Sequence, residues 1–306
     1  LVLLRFRIHF KKKIRIMNQK KIFFMVALLF FSGCAPKEES PSSALGDAFD
    51  LNNCDESFTG NIPEFYTTYF SCVNISMSNL TTVIESDNLP PYESWYYNES
   101  HGNYIDYVSQ GNGYYLNPNE ITAQETSINI LVNPTPRGIN VDTGLVDGIV
   151  GTSNYEYGMG AVGIALNGVA LFNPLAAPPD DIEDEKFSFD YYSGHPTNTG
   201  YYHYHTASQG PIDVLKNKEL IENSIVGSAD IELYGIMCDG TLILGCTELD
   251  GSVPDYSNFD AQNGHVHDIS DASNVFFSNR YHTHICVDSF TDHRFTPEIQ
   301  YYTGCD

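Results

Sequence analysis

The chain has 306 residues, with 39 acidic against 15 basic side chains and a formal charge of −24. So acidic a surface repels nucleic-acid phosphate and anionic headgroups, which argues against a nucleic-acid partner. It suits cationic ligands, metal ions or a salty medium.

Residues 1–33 carry eight basic side chains and no acidic one, followed by the apolar run Ile22 to Phe31 and then Ser32-Gly33-Cys34. A basic segment, a short apolar core and small residues before a cysteine read as a bacterial lipoprotein signal, with Met17 as the expected start. The apolar run is too short for a comfortable bilayer span. Cys34 is then the expected lipidation site and the expected contact with the membrane, on its periplasmic face or at the cell surface. Without the signal the chain keeps seven basic residues against 39 acidic ones, a formal charge of −32. Residues 34–53 are small and polar and read as a lipidated tether. Residues 54–306 read as a single domain. Six cysteines remain for an exported, oxidised domain, and an even number reads as up to three disulfides. Proximity in sequence suggests Cys54–Cys72, Cys238–Cys246 and Cys286–Cys305.

Tyr, Phe, Val and Ile are plentiful in this domain, and Gly, Asn, Asp and Pro interrupt them every ten residues or so, the pattern of many short strands. The expected fold is mainly β: a single β-rich domain with an internal duplication and little helix. Thr126–Val132 is a predicted strand. Asn167-Gly168 and Asp239-Gly240 each sit between apolar runs and predict hairpins with type I′ turns. Only Ile212–Ser224, preceded by Pro211, has a helical pattern.

Two stretches repeat each other. Gly163–Phe172, Phe189–His195 and Tyr202–His205 are followed by Gly235–Leu244, Phe259–His265 and Tyr281–His284, at offsets of 72, 70 and 79 residues. The repeats span about 163–205 and 235–284, each reading hairpin, Gly-His turn, Tyr-His-x-His strand. In a strand, residues i and i+2 share a face. His203 and His205 therefore project together, as do His282 and His284, while His195 and His265 follow glycines on expected turns. Duplication tends to gather equivalent elements around a pseudo-symmetry axis, so the two sets are expected to converge on a common pocket holding one ion or two.

Six imidazoles without thiolate suit copper or zinc. His195, His203, His205, His265, His282 and His284 are the predicted metal ligands, and His267 offers a further imidazole. Asp190, Asp260 and Asp268 are expected as acceptors that orient those imidazoles, with His267 beside them. The acidic run Asp180–Glu185 leaves calcium open but lacks the loop spacing of an EF-hand. No nucleophile elbow, phosphate-binding glycine loop or His-Glu-x-x-His is present.

These residues resemble a known family. Gly194-His195-Pro196 and Gly200–His205 are similar to the signature of the YHYH-domain proteins. Asp87–Pro90, Asn167–Asn173, Gly235–Gly245, Leu249-Asp250, Asn263–His265, Tyr281–His284 and Tyr301–Cys305 look like further blocks of that family, so the resemblance runs over roughly 70–306. Thr283 departs from the tetrapeptide. The resemblance implies an exported, often lipid-anchored or surface protein, and it implies no particular reaction. The leading expectation is an extracytoplasmic lipoprotein that binds a transition metal. A metal-dependent hydrolase or oxidoreductase acting on an extracellular small molecule or polymer is the alternative. A surface binding or adhesion module with structural histidines is the third.

Overall fold

The computed structural model describes residues 49–287 and 293–305. The expected signal segment, Cys34 and residues 34–48 of the expected tether lie outside them. The described residues fall in one compact unit, residues 39–306. Among them no helix is long and apolar enough to cross a membrane.

The fold is mainly β, with two sheets and short helices. The smaller sheet runs in order β1 (Ser57–Thr59), β2 (Asn74–Ser78), β3 (Thr81–Ser86), β4 (Thr126–Leu131). β4 buries Thr126, Ile128 and Ile130 and exposes Ser127 and Asn129, the two-residue period of a sheet with one wet face. α1 (Glu64–Tyr69) sets Phe65, Tyr66 and Tyr69 into the core.

The larger sheet holds β5 (Gly163–Ala165), β6 (Ala170–Leu171), β7 (Gly194–Pro196), β8 (Tyr202–Tyr204), β9 (Leu233–Met237), β10 (Leu242–Leu244), β11 (Gly264–Ser270) and β12 (Val275–His284). Their order is β11-β12-β10-β9-β5-β6-β8-β7. Exchanging β5–β8 for β9–β12 reproduces that order from the other edge. The register follows too. At the centre β5 and β9 are antiparallel, and Ile164 pairs with Ile236, its counterpart 72 residues on. Ala170 lies opposite His203 as Leu242 lies opposite His282. His195 lies opposite His203 as His265 lies opposite His282. The central strand β9 is buried throughout, hence its apolar run Leu-Tyr-Gly-Ile-Met.

Both predicted hairpins form, with a different turn. Gly168 N–H donates to Ala165 O and Ala165 N–H to Val169 O, and Gly240 and Met237 repeat the pattern. Gly168 (φ +78°) and Gly240 (φ +94°) have positive φ, whereas Asn167 and Asp239 do not. A type I′ turn needs two left-handed residues; one left-handed glycine after a tight turn is the bulged, three-residue loop instead. The predicted helix starts earlier and is shorter: α3 spans Gln209–Asn217, because Ser208 Oγ accepts from Gly210 N–H and caps it. A short α2 (Ile182–Glu185), capped by Asp181, stands within the acidic run.

Three disulfides are present, one as expected. Cys54 pairs with Cys72, but Cys238 pairs with Cys305 and Cys246 with Cys286. Topology decides this. β9 and β10 are antiparallel, so Cys238 and Cys246, each just past its own strand, lie at opposite ends of the hairpin. β10 and β12 run parallel, so Cys246 and Cys286 emerge side by side.

Candidate metal centres

The histidines gather into two separate groups, His195, His203 and His205, and Glu248 with His265, His282 and His284. The expected common pocket does not form. The symmetry axis passes through β5 and β9, and the histidine strands β8 and β12 are the third from it on each side. Four strands separate them, roughly 24 Å along the sheet at about 4.8 Å per strand.

In the first centre, His203 sits on β8 between Tyr202 and Tyr204, which are buried on the opposite face. His205 follows on the same face, and His195 comes across from β7. His195 and His265 lie on strands rather than turns. The preceding glycines answer a packing need: a Cβ on Gly194 would sit 2.5 Å from the Tyr202 ring, and one on Gly264 1.9 Å from Tyr281 Oη. Ser193 (φ +61°) and Asn263 (φ +56°), one residue earlier, make the left-handed step.

The far nitrogens settle the tautomers. His203 Nδ1 lies 2.9 Å from Tyr201 O and His205 Nδ1 2.5 Å from Asn173 O. A carbonyl only accepts, so both Nδ1 atoms carry the proton. His195 Nδ1 lies 2.7 Å from Ser188 Oγ, whose own proton goes to Glu185 O, so it donates as well. Burial pushes all three imidazoles down, His195 and His203 well below the ordinary range and His205 to about 4. His195 is lowered further by His205, and His203 by His195 and His205. Three neutral rings thus turn bare Nε2 atoms toward one another, His203 lying 3.0 Å from His195 and 2.9 Å from His205. Lone pairs at that distance with no proton between them repel, and a cation placed among them converts repulsion into coordination. Phe172 stacks on His203 at 3.8 Å and Phe189 packs edge-on to His195 at 4.9 Å, so those two sides of the centre are dry.

The second centre repeats this construction. His282 Nδ1 donates to Arg280 O and His284 Nδ1 to Gly245 O, both at 2.9 Å. Phe259, 70 residues after Phe189, packs edge-on to His265 at 4.9 Å. The addition is Glu248. Its Oε1 lies 3.1 Å from His265 Nε2 and 3.6 Å from His284 Nε2, and its Oε2 3.1 Å from His282 Nε2. Burial lowers His282. A carboxylate facing two imidazoles whose protons sit on the far nitrogen again calls for a cation. Both groups could hold a metal ion.

Sequence reasoning missed Glu248. It stands on a loop after β10 with no counterpart at the repeat offsets, so no periodicity marks it. The acceptors that orient the imidazoles are main-chain carbonyls and Ser188, not the expected aspartates. Asp190 instead accepts from Tyr202 Oη at 2.8 Å, Ser94 Oγ at 2.6 Å and Tyr192 N–H at 2.9 Å. Burial still pushes it up to about 6, against those hydrogen bonds. Asp260 accepts from Tyr281 Oη at 2.6 Å and Gly264 N–H at 2.8 Å. Both therefore brace the turn ahead of the Gly-His strand. Asp268 accepts from Asn279 N–H at 2.8 Å within the β11–β12 hairpin and is exposed. His267 is exposed, its ring parallel to His265 at 6.0 Å. With Val253, Pro254 and Asp255 it lines an open cavity of about 480 Å³ that reaches Glu248 and His265.

Residues 148–254 match the family model described as YHYH protein. It is the family that the sequence blocks resemble. The YHYH-matched segment carries β5–β10, all three histidines of the first centre and Glu248, while His265, His282 and His284 lie beyond it. No curated protein and no solved structure matches the chain.

Proposed function

We propose that this is an exported, lipid-anchored protein that binds two transition-metal ions, copper or zinc, one at each histidine centre. The observation that carries the reading is the set of bare Nε2 atoms 2.9–3.0 Å apart in a dry interior, each ring locked by a proton on its far nitrogen. Such a cluster is costly without a cation. For a metal–nitrogen bond of about 2.0–2.1 Å, donor separations near 3 Å subtend about 90° and those near 3.4 Å are tetrahedral. The separations in both centres, 2.9–3.0 Å and 3.1–3.6 Å, fall within this range, and imidazole and carboxylate donors suit copper or zinc. The six cysteines of the described residues are in disulfides and offer no thiolate. Equal order and register in the two half-sheets support an internal duplication.

Elemental analysis of the full-length protein, purified without a nickel column, tests the reading. Two equivalents of metal are expected, and none above background would end it. The cavity beside Glu248 and His265 favours a second reading, a metal-dependent enzyme at the second centre. Water relaxation with a paramagnetic ion at that centre tests it, because a catalytic ion needs an exchangeable water there.

A further inference from the structure

The second centre offers three imidazoles and one carboxylate, whereas the first, so far, offers imidazoles alone. Glu185 stands beside one of those imidazoles, just outside the set of ligand atoms that lie within 4.8 Å of one another. Its Oε1 lies 3.7 Å from His195 Nε2, the nitrogen that faces His203. It is the last residue of α2, and its main-chain carbonyl takes the hydroxyl proton of Ser188, the group that accepts from His195 Nδ1. One helical turn thus addresses both nitrogens of the same ring, the far one through Ser188 and the near one through the Glu185 carboxylate. Lys186, the adjacent cation, pairs with Glu183 instead. The carboxylate therefore faces an imidazole that carries no proton on the facing atom, the conflict already seen between Glu248 and the rings of His282 and His284. Aromatic rings wall other sides of the first centre, and Glu185 stands on a side open to water, with 30% of its side chain exposed against 9% for Glu248.

Resting on the metal-binding reading, we propose that Glu185 is the fourth ligand of the first centre, so that a divalent transition-metal ion there is held by three imidazoles and one carboxylate oxygen. The acidic run Asp180–Glu185 contributes this one side chain to the centre.

Cobalt(II) titration of the full-length protein, followed by equilibrium dialysis and visible absorption, tests this with Glu185→Gln and the neighbouring control Glu183→Gln. Wild type and E183Q should bind two equivalents. E185Q should weaken one of them at least about tenfold and alter its visible spectrum, leaving the other intact as an internal report of correct folding. Superimposable isotherms and spectra for E185Q and wild type would remove Glu185 from the ligand set while leaving the metal reading in place. Equal weakening of both equivalents would also overturn it, since that marks a general change in charge or fold. No cobalt bound by wild type would defeat the metal reading itself.

Discussion

The two histidine centres are built alike and covered differently. Each takes two imidazoles from one strand and its continuation and a third from the antiparallel neighbour, fixes at least two rings by N–H donation to main-chain carbonyls, and packs a phenylalanine edge-on to that third imidazole. The first is buried behind Phe172 and Phe189. The second carries its carboxylate inside and opens through His265 onto a cavity. The contrast separates two contributions. Strand register places the imidazoles, and the loops between strands decide the fourth donor and the access of water. Conserving one while varying the other gives a single scaffold one histidine group walled by aromatic rings and one that meets a cavity.

The sharpest way to break this comparison is to remove one ligand from each side. His203→Ala should abolish one metal equivalent and His282→Ala the other, each leaving the remaining equivalent unchanged, as measured by elemental analysis after dialysis. Loss of both equivalents from either variant would mean that the centres are not independent. A smaller effect is expected from the Cys246–Cys286 crosslink, which follows directly on Gly245, the residue that holds His284. Replacing both cysteines with serine should cost about 2–4 kcal/mol in denaturant unfolding and weaken only the second centre. Equal weakening of the first centre would contradict that local role.

Titration offers a comparable magnitude. His205 falls from the ordinary imidazole value to about 4 on burial. Because its folded pKa is depressed, the metal-free protein keeps full stability above about pH 6.5 and loses it as pH falls toward 4, by about 3 kcal/mol from this group. Bound metal should suppress the loss. A metal-free unfolding free energy that stays flat between pH 7 and 4 would contradict a neutral, buried His205. A chelator should strip the second centre before the first, since the cavity admits it, and the reverse order in a stopped-flow competition would invert the assignment of the more and the less open centre. Least affected is Asp268→Ala, which should cost about 1 kcal/mol through a lost hairpin hydrogen bond. It should leave both metal affinities unaltered.

The sequence by itself determined the β-rich class, the two His-bearing strands and the equivalence of the two stretches, because side-chain alternation and turn residues are local and repeat with the chain. The sharing of a face by His203 and His205, or by His282 and His284, follows from a period of two and needs no tertiary knowledge. Pairing across the sheet is not local. Which cysteines meet depended on whether neighbouring strands run parallel or antiparallel, and the two histidine sets stand apart because the symmetry axis passes through β5 and β9 instead of the histidine strands. Glu185, Glu248 and the carbonyls of Asn173 and Gly245 come from loops and short helical turns, where no periodicity marks a group's destination. Only the packing of those segments against the sheet brings a carboxylate to three imidazoles.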